Sequence, residues 1–289
     1  MDLGRVLVEL LVVLVASRLA AEAAERLRQP AVLAEIAAGL LIGPSVLGLV
    51  GHAEALRILG EIGLILLLFE VGRQMDLREL REVGGSALAV AAIGVVVPMA
   101  VGYPVLRALG IESMPALFLA AAITATSVGI TARVFGVLRA LAGPEARIVL
   151  GAAVADDVAG LIVLTVVSRV VAGGGIDAAG VATVTLIAVG FVAGATLLGA
   201  LIVPRLLDGV AARARAEGTV MVLGLALALG LARVAQAARL APIVGAFVAG
   251  LVAGRSEVAA DLHRRLVPLG HFFIPIFFLQ IGIDTQVRV

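Results

Sequence analysis

Cysteine is absent from the 289-residue sequence, which removes disulfides, thiolate metal sites and thiol catalysis in one stroke. Lysine is absent too, since all 22 basic residues are arginine, so no step can depend on a lysine of this chain. Tryptophan is missing and aromatic residues make up only 3%. The three histidines, His52, His263 and His271, are scattered and do not suggest a metal site. A net charge of +1 with 15% charged residues excludes the basic footprint of a nucleic-acid partner. No phosphate-cradling glycine loop is present. Gly173-Gly-Gly175 runs into Ile176-Asp177 and reads as a turn between spans.

What is present is apolar. Hydrophobic residues reach 62% and the mean hydropathy is +1.16, a profile suited to lipid rather than water. The pattern predicts an all-α polytopic membrane protein with ten spans, near 3–21, 31–49, 58–72, 86–106, 114–135, 147–171, 179–203, 219–236, 241–254 and 267–283. The first run lacks a basic n-region distinct from its core, which makes it a retained span and not a cleaved signal. With the N-terminus outside, fifteen arginines fall on the inner side and seven on the outer, so the positive-inside rule favours that orientation.

Two stretches carry chemistry. In Gly151-Ala-Ala-Val-Ala-Asp156-Asp157-Val-Ala-Gly160, adjacent carboxylates stand mid-span, where a charged side chain costs about 3 kcal/mol even on lenient scales. Acids at that depth face a protein interior or a water-filled path and hold something positive. On a helix they point about 100° apart, so they do different jobs. Asp157, about 15 Å from either end of the run, is the first choice as cation ligand, with Asp156 beside it. The structural alternative is a hydrogen-bonded or arginine-paired anchor. Gly151, Ala155 and Ala159, like Ala152, Asp156 and Gly160, form ridges at spacing four that let a neighbouring helix approach closely.

The second stretch, Ala122-Ile-Thr124-Ala-Thr126-Ser127-Val-Gly129-Ile-Thr131-Ala-Arg133, crowds hydroxyls and a glycine into a span. Hydroxyls compete for backbone hydrogen bonds and glycine adds freedom, so local unwinding is expected. Freed carbonyls are tolerated in a membrane only where they line a cavity, and there they are hard oxygen ligands for a small cation. An ordinary helix with hydroxyls bonded to their own turn is the alternative. Glu35 and Glu61, near span ends, and Glu70, one turn from a charged loop, read as solvated or salt-bridged. Glu9 lines an outer funnel or pairs with Arg5.

An internal repeat joins these parts. Ala38-Gly39-Leu40-Leu-Ile-Gly43-Pro-Ser45 matches Ala249-Gly250-Leu251-Val-Ala-Gly254-Arg-Ser256, and Leu67-Leu-Phe-Glu-Val-Gly72 matches Phe277-Phe-Leu-Gln-Ile-Gly282. Offsets of 211 and 210 separate copies that lie seven crossings apart, the mark of an inverted-topology repeat. Counterparts of spans four to six would fall beyond residue 289, so the second repeat is expected to be incomplete in this polypeptide.

Taken together, Thr124-Ala-Thr-Ser-Val-Gly-Ile-Thr-Ala-Arg133 and Gly151-Ala-Ala-Val-Ala-Asp-Asp157 closely resemble the bacterial sodium/proton antiporters of the monovalent cation:proton antiporter-2 family, the NapA-like group. Gln29-Pro30, Gly43-Pro44 and Ala241-Pro-Ile-Val-Gly-Ala-Phe247 extend the resemblance along the chain. It implies that Asp157 is the shared sodium and proton site, with Asp156 its neighbour and Thr126 and Ser127 part of an unwound crossing helix. It implies no cofactor, a homodimer formed through a panel, an elevator-like core, electrogenic exchange and a place in the bacterial inner membrane. The expected domains are panel spans over 1–83, the first half of an ion-binding core over 84–172, a linker over 173–218, and a second panel set over 219–289 whose core counterpart is missing. The membrane lysine that pairs with the first aspartate in that family belongs to the missing spans. Other readings are a non-transporting fragment or regulatory membrane subunit that binds partner helices, a potassium/proton efflux protein and, more weakly, an ion channel without a repeated filter loop.

Overall fold

The computed structural model describes residues 3–27, 29–51, 54–75, 78, 82–124, 127–171, 178–216 and 218–285. Among them the regular elements are all helical: α1 (Leu3–Arg26), α2 (Ala31–Ile42), α3 (Glu54–Arg73), α4 (Gly84–Ala108), α5 (Ser113–Ile123), α6 (Val128–Val137), α7 (Pro144–Val171), α8 (Ala178–Arg213), α9 (Thr219–Ala237), α10 (Pro242–Ala253) and α11 (Ala259–Asp284). Five stretches of the described residues are long and apolar enough to cross a membrane, by length and composition. One of them is the continuous stretch from Ser113 to Val137, which the structure divides into α5 and α6.

The helices pack in two groups. In the first, α3 lies against both α10 and α11, α11 against α2, α9 against α10, and α1 against α2. In the second, α4 packs on α7 and α5, and α7 also touches α5 and α6. The groups meet where α6 touches α3 and α2, while α8 bridges α7 and α10.

The repeat is visible in the helix ends. Ala31–Ile42 and Pro242–Ala253 are each 12 residues long and begin 211 positions apart. Pro30 precedes one, and Pro242 opens the other at a position where its missing N–H costs nothing. α2 stops before Gly43-Pro44, well short of the expected residue 49, because the residue before a proline is driven out of the α region. In α10, Val244 to Ala253 are all buried.

Close glycine contacts hold these pairs together. A methyl on Gly39 would strike the Leu279 carbonyl, and one on Gly282 the Ile36 carbonyl, joining α2 to α11. The repeat copies do the same, for Gly250 meets the Phe69 carbonyl and Gly72 the Phe247 carbonyl, joining α10 to α3. Gly60 faces Phe277 while Gly63 faces Phe273, so the equivalent helices α3 and α11 run antiparallel, as an inverted repeat requires. Even the polar ends correspond: Gln74 Nε2 donates to Glu70 Oε1 at 2.8 Å, and Gln280 Nε2 donates to Asp284 Oδ1 at 2.9 Å.

α8 is the longest helix at 36 residues and overruns its expected end at 203, passing through Pro204 without a break. α11 likewise continues across Pro268 and Pro275. α6 and α9 end on left-handed arginines, Arg139 at φ 53° and Arg239 at φ 62°, in the position glycine usually takes. Each is closed by a bond from the next amide to a carbonyl five residues back, Ala140 N–H to Phe135 and Leu240 N–H to Ala235.

Candidate ion site at the helix break

The hydroxyl-rich span is broken where the sequence predicts. α5 ends at Ile123 with Thr124 as its cap, and α6 starts at Val128 after Ser127, whose backbone is extended at φ −83°, ψ 99°. The hydroxyls are spent on the two ends. Thr124 Oγ1 donates to the Ala121 carbonyl at 2.7 Å, Thr131 Oγ1 donates to the Ser127 carbonyl at 3.1 Å, and the Ile130 N–H donates to Ser127 Oγ at 3.4 Å. Such local bonds offer the backbone an alternative to a continuous helix. Thr126 lies outside the described residues.

The acid-bearing helix α7 runs back beside α6. Leu150 and Ala153 of α7 share a core cluster with Val128 and Ala132 of α6. Asp157 follows Ala153 by four, so its backbone stands on the same stripe of α7; its side chain lies outside the described residues. From the turn that joins the two helices, Ser127 is about 15 Å up α6 and Asp156 about 18 Å up α7, so break and acid pair stand at similar depth.

Asp156 belongs to another face. It follows Ala152 by four, and Ala152 and Ala155 pack against Ala87 and Ala91 of α4, which is the close small-residue approach read from the ridges. Only 8% of Asp156 is exposed, and its Oδ1 is buried without a hydrogen-bond partner among the described residues. A buried carboxylate oxygen left open costs on the order of 1 to 3 kcal/mol or more unless something fills it. Hard oxygen donors beside a helix break suit a small monovalent cation or a proton.

The remaining acids fall into place with one exception. Arg5 Nε donates to Glu9 at 3.0 Å, so the pairing alternative holds there. Glu61 is exposed, and Glu70 is held by Arg73 and Gln74 with His263 Nδ1 2.8 Å away. Glu35 is the exception, at 1% exposure deep inside rather than solvated at a span end. The missed signal was its stripe, for Val32, Glu35, Gly39 and Ile42 form one buried face of α2.

The sequence pattern of the sodium/hydrogen exchanger transmembrane family matches residues 10–289. The chain belongs to that family. Among its relatives, the high-affinity Na(+)/H(+) antiporter NhaS3 of Synechocystis is 35% identical over 322 residues, covering 99% of this chain and 70% of that protein. The Na(+)/H(+)-K(+) antiporter GerN of Bacillus cereus is 31% identical over 277 residues, covering 96% and 70%. The solved sodium proton antiporter MjNhaP1 of Methanocaldococcus jannaschii superposes with a TM-score of 0.67 at 20% identity, over 99% of this chain and 72% of that one. The chain is therefore an exchanger by descent and a transporter rather than an enzyme, in the polytopic fold of that structure.

Proposed function

We propose that the chain exchanges a sodium ion for protons across a bacterial plasma membrane, with Asp157 as the shared site and Asp156 beside it. The observation that carries this reading is the helix break at Thr124–Ser127 standing level with the acid pair of α7, where Asp156 Oδ1 is buried without a partner among the described residues. The family membership supports the exchange, and the sodium/proton antiporters among the relatives support sodium as cargo.

The mechanism follows from the cost of charge in lipid. Two adjacent carboxylates at that depth cannot both stay ionised cheaply, so cation and proton compete for the same oxygens. The loaded and the protonated forms cross, and the empty anionic form does not. Exchange is then obligatory. Two protons for one sodium would also move net charge, worth about 2.3 kcal/mol per 100 mV. The NapA-like grouping, the electrogenic stoichiometry and an elevator motion belong to this proposal. So do the expected units, with α1–α3 and α9–α11 as the panel, α4–α7 as the moving part and α8 as the linker. The outward stripe of Leu7, Leu11, Val15 and Leu19 on α1 suits a homodimer seam of the panel.

The test is a sodium jump on proteoliposomes holding this polypeptide, with internal pH as the readout. Sodium-driven proton flux is expected, and Asp157→Asn should bring it down to the vesicle leak. Undiminished flux in that variant would remove Asp157 from the mechanism. Potassium-driven flux without sodium-driven flux would favour an efflux protein.

A further inference from the structure

Where the two helix groups touch at α2 and α6, two opposite charges stand near the seam, each with a buried polar atom that has no hydrogen-bond partner among the described residues. Glu35 sits on the buried stripe of α2 between Val32 and Gly39, with Oε2 buried and unpartnered among the described residues. Arg133 follows Ala132 on α6, and its Nε is buried and unpartnered in the same sense. Val32 and Ala132 belong to one core cluster, with Ile36 packed against it, so the charges approach the seam from its two sides. Among the described residues the two do not form an ion pair, yet Arg133 and Arg18 are close enough for their charges to act on Glu35.

Arg133 has a second neighbourhood. It lines a cavity of about 210 Å³ between α3, α6 and α11, with Glu70, Gln74 and His271 in the wall. Glu70 is already occupied, since Arg73 and Gln74 both donate to it. Glu35, by contrast, has a buried oxygen with no partner among the described residues. An uncompensated charge inside a protein is costly, and a buried acid and a half-buried arginine on either side of a contact are relieved together when they meet.

We propose that Glu35 and Arg133 close into an ion pair when α6 shifts along α2, forming a latch between the two helix groups that holds one end of the exchange cycle. The latch rests on the exchange reading and on movement of α4–α7 against the rest. Here the pair is open. One sub-helical displacement separates a satisfied seam from an unsatisfied one, and such packed contacts favour two discrete arrangements over a continuum.

The test is a double-mutant cycle on turnover in proteoliposomes: Glu35→Gln, Arg133→Gln, the two combined, and the swap Glu35→Arg with Arg133→Glu. Each single neutralisation should change turnover about tenfold with little change in the sodium KM, the combination should be no worse than either, and the swap should recover most of the rate. Multiplying effects, or a loss confined to KM with no recovery in the swap, would overturn the latch. Wild-type flux alongside an additive cycle sinks the latch and leaves the exchange standing. A readout independent of transport covers misfolded variants. In this naturally cysteine-free chain, Glu35→Cys with Arg133→Cys is treated in membranes with a short bifunctional methanethiosulfonate, whose two ends each form a disulfide with one thiol and release methanesulfinate. Crosslinking within the chain is expected, and its absence while the single cysteines label normally contradicts the proposal.

Discussion

Most glycines on α2, α3, α10 and α11 press into neighbouring backbone, whereas Gly84, Gly85 and Gly94 of α4 and Gly190 and Gly194 in the N-terminal half of α8 face open space. A Cβ on Gly39, Gly63, Gly72, Gly250 or Gly282 would collide with a carbonyl of the next helix. One on Gly84, Gly85, Gly94, Gly190 or Gly194 meets no atom within 4 Å. The same residue type therefore does opposite things. In the first group it lets repeat-related helices lock backbone to backbone, as small residues do where no hydrophobic force separates helix from lipid. In the second it leaves faces that expose Leu88, Ile93 and Val96 on α4 and Leu186, Leu197 and Leu198 on α8, fit to slide against lipid or a neighbour. An apolar groove of about 570 Å³ between α4, α7, α8 and α10 lies along that boundary. The comparison separates helix pairs locked backbone to backbone from helices whose glycines lie on open faces.

The strongest way to break this contrast is Gly250→Ala, which drives a methyl into the Phe69 carbonyl at the centre of the frame. We expect a loss of about 3 kcal/mol, at the upper end of overpacking costs, read as a lower melting temperature by circular dichroism because the chain has no tryptophan. An unchanged melt would mean that α10 and α3 are not locked. Next comes Asp208→Asn. The Ser256 hydroxyl and the Glu257 N–H, at 3.0 Å, both donate to Asp208 Oδ1, tying α8 to the α10–α11 turn. Weakening this charged acceptor should cost about 1.5 kcal/mol and expose the 254–259 turn to faster amide exchange. Ser127→Ala removes the N-cap of α6 and should cost about 1 kcal/mol, with a larger effect on the sodium KM than on melting. Gly94→Ala stands last, within about 0.5 kcal/mol of wild type, since its methyl enters open space. A large penalty there would show that the Gly94 face of α4 is covered.

Much of this was legible in the residues. Thr124, Ser127 and Thr131 announced the break because hydroxyls bond to their own turn, and Gly39, Gly72, Gly250 and Gly282 announced the repeat by spacing. Helix ends were harder: apolar runs show where lipid can be crossed, but Gly43-Pro44 stops α2 early, and α8 continues past residue 203 through Pro204. Glu35 was misjudged because distance from a span end says little about depth when α2 is only 12 residues long and packed on α11. The role of Asp157 rests on its register beside Leu150 and Ala153 and not on side-chain contacts.

The most direct test is calorimetric titration of sodium into the purified chain at two pH values, in buffers of different ionisation enthalpy, which counts protons released per ion bound. Release of protons on binding is predicted, with weaker binding at the lower pH and no binding in Asp157→Asn. Sodium that binds without displacing a proton, or binds equally well to Asp157→Asn, would contradict competition at this acid.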